Sequence, residues 1–221
     1  ISSDALAVTR DYLLFGVKKA AEDASRVFNK FLPLRSEPQL RNKHSLASHA
    51  DPGLVRRIES FSELPELSLG WALLYYYQHF GFPVPGHQAC ALNSLYVAHD
   101  MTHVISGISI TAAGEIALSA FQLAMQPNDV NESALLASLI THEAGFVSVN
   151  PTIDPDSASL DTDSAAHLLS TEMARGSCCH GDFSLVDHFE LAHLPLSEVR
   201  SKFNVLKPET PNDGHHFLWP I

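Results

Sequence analysis

The sequence predicts an all-α fold, and three observations carry that expectation. Apolar residues recur at helical spacing through most of the 221-residue chain. No stretch alternates apolar and polar residues with period two for long enough to build a sheet. The apolar blocks are bounded by proline, glycine or a capping Asp, Asn or Ser. We expect roughly seven to nine helices in a single helical domain over 1–221, ending in an irregular tail at 207–221.

Taken in order, Asp4 to Phe31 places Leu6, Leu13, Leu14, Val17, Val27, Phe28 and Phe31 at helical intervals with Lys and Glu between them, which predicts a long amphipathic helix closed by Pro33. Residues 34–50 have no periodicity and read as a loop able to cover a site entrance. Asp51-Pro52 is a cap and first-turn pair opening a short helix through Val55 and Ile58. Leu67 to Phe80 is apolar nearly all round, as a buried helix is, and Gly81 with Pro83 stops it. Helices are then expected over Gln88 to Ser106, Glu115 to Met125 and Asn131 to Phe146, followed by an Asp, Ser and Pro-rich surface loop at 147–163. Three more follow: one capped by Asp161 and running to Arg175, one over Leu185 to Leu191, and one capped by Ser197 and running to Val205.

Composition narrows the function. Hydrophobic residues make 45% of the chain and charged residues 18%, the balance of a soluble globular protein, and no apolar run reaches the ~18 residues of a spanning helix. No secretory signal or transit peptide is visible at the start, although a chain beginning at Ile1 can be a trimmed one. Cys90, Cys178 and Cys179 do not make a disulfide framework and fit a reducing compartment. The net charge of -11 is segregated: residues 58–174 hold no Lys or Arg against thirteen acidic residues, while residues 1–57 hold ten basic against six acidic. The acidic middle would repel phosphate, so no nucleic-acid partner is expected. The basic N-terminal part suits an anionic membrane surface, or is simply a solvated helix face.

The chemistry is concentrated in Val97 to Glu115. His99 and His103 are four apart, so on a helix they stand one above the other at chelating spacing. Asp100 is near enough in azimuth to converge with them, and Glu115 can close the site from the next helix after a turn at Gly107. Two imidazoles and two carboxylates suit a divalent ion, with zinc expected first and Fe²⁺, Mn²⁺, Co²⁺ or Mg²⁺ as alternatives. The plain alternative is a pair of hydrogen-bonded helix histidines beside solvated acids. His142, in an apolar helix, is expected to support a ligand rather than to be one. His215 and His216 are left out of the set, because adjacent side chains diverge and the context is a terminus.

The spaced motif His99-Asp100-x-x-His103 with Glu115 eleven residues on resembles the signature of the ubiquinone (coenzyme Q) biosynthesis protein Coq-four family. Gly107, Gly114, Leu64-Pro65, Ser68-Leu69-Gly70, Arg175-Gly176, Phe189-Glu190 and Pro195-Leu196 to Arg200 extend the likeness over about residues 60–206. Tyr96 stands where members of that family commonly have Arg. The resemblance implies a helical fold around a hydrophobic cavity, a metal held by His99, Asp100, His103 and Glu115, and a polyprenyl lipid or prenylated quinone precursor as ligand. Tyr96, Leu118 and Phe121 are the side chains expected to bind that lipid. It also implies metal-dependent oxidative C1 decarboxylation of a prenylated hydroxybenzoate, or a scaffold role with a structural metal. The implied partners are other quinone-biosynthesis proteins, a second copy in a homodimer, and a membrane surface. The implied place is the cytoplasmic side of a bacterial inner membrane, peripherally bound, or the mitochondrial matrix side in eukaryotic relatives. At ~0.8 kcal/mol per buried CH₂, a tail of about twenty carbons offers roughly 10 kcal/mol before ordering costs, which is ample for binding.

Overall fold

The computed structural model describes residues 50–88, 95–139, 163–211 and 213–219. The described chain is all-α: α1 (Pro52–Glu59), α2 (Leu69–Phe80), α3 (Leu95–Ser106), α4 (Ala112–Met125), α5 (Asp129–Ser138), α6 (Asp163–Ser177), α7 (His188–Leu191) and α8 (Leu196–Lys202), with short 3-10 turns at Ser60–Glu63 and Phe183–Leu185. Among the described residues there is no strand, only two isolated bridges, Ser68 with Pro195 and Ile108 with His216. No helix among them is long and apolar enough to cross a membrane.

Side chains start the helices where their chemistry predicts. The Leu54 amide donates to Asp51 Oδ1 at 2.9 Å, and the Gly114 and Asn131 amides donate to Thr111 Oγ1 and Asn128 Oδ1 at 3.0 and 2.9 Å. Gly81 ends α2 in the left-handed conformation. Helix α3 is the centre of the core: Met101, Val104 and Ile105 are fully buried, α2 and α8 pack on it, and the turn at Phe183–Leu185 lies against it. Helix α4 packs most extensively on α6.

Several expectations are corrected. The fifth helix begins at Asp129, two residues before Asn131, because the Asn128 side chain caps it there. The stretch expected as one helix over Leu185 to Leu191 is a 3-10 turn followed by the single-turn α7, since the Asp187 carboxylate accepts from the Phe189 and Glu190 amides and restarts the chain. Ser197 is not a cap: α8 starts at Leu196, after Pro195, with the Leu196 amide donating to the Leu67 carbonyl at 2.8 Å. The helix expected from Gln88 is described only from Leu95; the Asp4 to Phe31 helix, Asp161, His142 and the expected 147–163 loop lie outside the described residues, except Asp163, which is the first residue of α6 rather than loop.

The tail beyond Lys207 is irregular, as expected, but not loose. Its last described stretch pairs with the turn after α3, where the Phe217 amide donates to Gly107 O at 2.9 Å and the Ser109 amide to His215 O at 2.7 Å. Trp219 packs on Gly107 so closely that a Cβ there would lie 2.0 Å from the indole nitrogen, and Gly107 has φ +70. Only glycine fits both conditions.

Gly114 opens α4 against the backbone of the preceding turn: a Cβ would sit 2.1 Å from the Ser109 carbonyl oxygen. Gly114→Ala is therefore expected to destabilise by about 2 kcal/mol, its ~1 kcal/mol gain in helix propensity being outweighed by the backbone clash. Urea midpoints read this, and an unchanged or raised midpoint contradicts it.

His188 supplies a pH dependence. Burial pushes its imidazole down to about 4, opposed by the Phe183 carbonyl, 2.7 Å from Nε2, and by Asp187. The unfolded chain titrates near 6.5, so between about pH 6.5 and 4 the unfolded state binds the extra proton. This contribution is fully present above pH 6.5 and lost as pH falls towards 4, by at most roughly 3 kcal/mol. His188→Gln is expected to flatten that part of the stability profile in urea titrations taken at each pH.

Candidate metal centre

His99 and His103 project from one side of α3, as residues one turn apart must, and their rings stack at 4.8 Å between centroids with 15° between planes. Glu115, in the first turn of α4, meets them: Oε1 is 3.3 Å from His103 Nε2 and Oε2 is 3.7 Å from His99 Nε2. One ligand atom from each of the three lies within 4.8 Å of the others. The turn between the helices is what brings Glu115 back, and Gly107 and Thr111 build its two ends.

His103 is oriented from behind. Its Nδ1 lies 2.9 Å from the Ile108 carbonyl, and because a carbonyl only accepts, the proton is on Nδ1. On the neutral ring that leaves the Nε2 lone pair facing Glu115 and His99, the arrangement of a metal-ligating histidine. His103 Nε2 and His99 Nδ1 are buried with no aligned hydrogen bond. The orphaned His103 Nε2, with His99 Nε2 and the Glu115 carboxylate close by, is a donor set that fits a borderline divalent cation.

The electrostatics follow from burial and proximity. Burial, then the His103 charge, pushes the His99 imidazole down to about 4 against the pull of Glu115. A third of the His99 side chain, 36%, is exposed, yet Nδ1 is shielded from water. Burial alone would lower His103 too, but the Glu115 carboxylate, the Ile108 carbonyl and Asp100 outweigh it, so its net shift is upward.

Asp100 stands apart from the three. Its carboxylate is occupied from α2: the Tyr77 hydroxyl donates to Oδ2 at 2.8 Å and the Tyr76 hydroxyl reaches Oδ1 at 3.5 Å. Burial raises its carboxyl to about 7 against these hydroxyls. The i, i+1 spacing places it on the α2 side of the helix, and so the structure groups three of the four sequence-picked donors rather than all of them. Tyr76 stacks on His103 at 5.8 Å and Tyr96 on His99 at 6.2 Å, so the two imidazoles sit in a column between tyrosines. Tyr96 thus borders the exposed side of the site, whereas Leu118 and Phe121 are fully buried in the core, Phe121 against Phe183 at 5.9 Å.

Two arginines that the sequence offered only within the resemblance, with no role attached, hold α3 in place. Arg200 donates to the carbonyls of Ile105, Val104 and Leu218 at 2.9, 3.1 and 2.7 Å, with its guanidinium 3.6 Å over the Trp219 ring. Arg175 donates to Ser106 O at 2.8 Å and pairs with buried Glu172, which also meets His216 Nε2 at 3.0 Å. Two cations therefore satisfy the last carbonyls of the helix, the end that favours positive charge. Apart from the resemblance their signal in the sequence is faint: Glu172 and Arg175 are three apart, and Arg200 sits among Glu198, Ser201 and Lys202 like any solvated helix residue.

No family model matches the chain, and no curated protein sequence matches it. Among solved structures, one from Nostoc punctiforme PCC 73102, described provisionally as a ubiquinone biosynthesis protein, is similar over 92% of this chain and 98% of that one, at 18% identity and a TM-score of 0.53. The chain shares the helical fold of that protein.

Proposed function

We propose that this protein binds a divalent metal, zinc first, at His99, His103 and Glu115, together with a polyprenyl lipid, and acts on the prenylated aromatic head group in ubiquinone-type quinone biosynthesis. The observation that carries the reading is the buried, backbone-oriented His103 Nε2 sharing one point with His99 and Glu115, on a site with one open side. The Coq-four resemblance of the motif and the fold shared with a protein described as belonging to ubiquinone biosynthesis support it. Three protein donors with an open position are the pattern of a catalytic rather than a closed metal site.

The bound ion would supply positive charge for a carboxylate or phenolate and stabilise charge developing on the ring. The chain does the rest. His99, His103 and Glu115 fix the position of the ion, Tyr76 walls the inner side of His103, and Tyr96 borders the open side. Asp100 locks the hydroxyls of Tyr76 and Tyr77 and so holds that wall. In the reaction proposed, the C1 carboxylate leaves as carbon dioxide and a hydroxyl replaces it, with dioxygen as oxidant. One oxygen atom enters the new hydroxyl and the other is reduced to water by a two-electron donor.

The test is mass spectrometry of the metal and lipid carried by purified protein, followed by incubation with a prenylated hydroxybenzoate, dioxygen and a reductant. Carbon dioxide release by wild type and none by His103→Ala supports catalysis; identical behaviour of the two ends it. A second reading is favoured by one fact, that the donors tie α3 to α4: a scaffold with a structural metal. It predicts a sharp loss of thermal stability on chelation and no turnover.

A further inference from the structure

We propose that His216 is a positioning residue for His103, acting by fixing the register in which the tail pairs with the turn after α3. The metal arm of its test rests on the function proposed above; the rest does not.

The argument begins with the carbonyl that orients His103. Ile108 and His216 face one another in an antiparallel bridge, and the hydrogen bonds flank the pair: Ser109 amide to His215 O at 2.7 Å, and Phe217 amide to Gly107 O at 2.9 Å. In such a pair the two facing residues do not bond to each other, so the Ile108 carbonyl points away from the tail. It is thereby available to His103 Nδ1, 2.9 Å away. The two bonds from the tail hold the Gly107 carbonyl and the Ser109 amide and so fix the backbone orientation that sends the Ile108 carbonyl to His103. A one-residue slip would turn the tail's own side chains to the other face, and a tail that cannot seat there frees this segment to rotate. His103 would lose its acceptor and with it the preference for the proton on Nδ1.

Two backbone hydrogen bonds are a weak lock on register, and the His216 side chain supplies the stronger one. Its two ring nitrogens lie 3.0 Å from Glu172 Oε1 and 3.0 Å from Asp213 Oδ1, in a site almost wholly closed to water. Glu172 is held by Arg175, and Arg175 by the Ser106 carbonyl, so the ring is tied to the end of the helix that carries His103. A neighbour cannot take the same place: His215 lies towards Thr111, 3.4 Å from its hydroxyl.

The experiment compares wild type, His216→Leu, His216→Gln and Leu54→Ala, the last a destabilising change in α1. Histidine nitrogen chemical shifts report the His103 tautomer, and cobalt(II) titration by visible absorption reports the site. We expect His216→Leu to lose the Nδ1–H tautomer of His103 and to weaken cobalt binding 10- to 100-fold, the range for groups that orient a ligand. His216→Gln, which still donates to Glu172, should recover part of both, and Leu54→Ala should keep both despite a lowered Tm. A folded His216→Leu protein with the wild-type tautomer and cobalt affinity overturns the proposal. If wild type binds no cobalt, the metal reading fails while the tautomer still decides this one. If His216→Leu does not fold, Asp213→Asn, at the partly exposed end of the contact, is read in its place by the same criteria.

Discussion

His103→Ala is expected to weaken zinc binding by more than about 100-fold, beyond the range for groups that merely orient a ligand. The reason is that His103 is the most enclosed of the three donors, 1% exposed against 36% for His99 and 16% for Glu115. It is also the donor whose orientation is fixed by the backbone. Without metal the variant should lose about 2 kcal/mol, for the cavity and for the Ile108 carbonyl left without its donor. With zinc at a hundred times the wild-type Kd, wild type gains ~2.7 kcal/mol and the variant almost nothing, so the zinc-induced rise in Tm separates them. The upward shift of His103 adds a sign. A proton held more tightly competes more strongly with metal, so zinc affinity should rise with pH through the neutral range and binding should release protons. Calorimetry in buffers of different ionisation enthalpy measures that release, and affinity independent of pH contradicts it.

Arg200→Ala is expected to be the most destabilising single change away from the candidate metal centre, by about 4 kcal/mol in urea titrations, because it leaves the carbonyls of Ile105, Val104 and Leu218 without their donor and opens a gap over Trp219. Burial, then neighbouring Arg175, pushes the Arg200 guanidinium down to about 9, a measure of what its three carbonyl acceptors and the Trp219 face must offset. Lysine should not rescue it. An ammonium lacks the planar fork that reaches three carbonyls while lying flat on an indole. A Lys variant as stable as wild type would show that charge alone is what α3 requires.

The helices were legible where local chemistry decides them. Asp51, Ser68 and Gly81 mark boundaries that a capping oxygen or a left-handed glycine fixes within a few residues, and both needs can be read from the sequence. Of the site, the His99, His103 and Glu115 convergence follows from helix periodicity and one tight turn, so it too was readable. The separation of Asp100 was not, because its azimuth on α3 is compatible with either side. What decides is the pair of hydroxyls on α2, more than twenty residues away. Leu118 and Phe121 are buried in the core, and an apolar helical face has the same pattern in sequence whether it lines a ligand cavity or packs only on its neighbours. Nothing in the sequence around His216 marks it as held, because its environment comes from Glu172, 44 residues earlier.

The arginine clasp on α3 has a consequence for biosynthesis. Its bonds join residues 69, 95 and 96 positions apart, and the tail that backs Ile108 comes later still. Local pairs such as His99 and His103 form early in synthesis, but contacts of such separation wait for distant segments to arrive. Until then a nascent chain displays two histidines and a glutamate with nothing to orient them. The geometry around them is complete only once the 215–217 segment, whose bonds back the turn that carries Ile108, has been made.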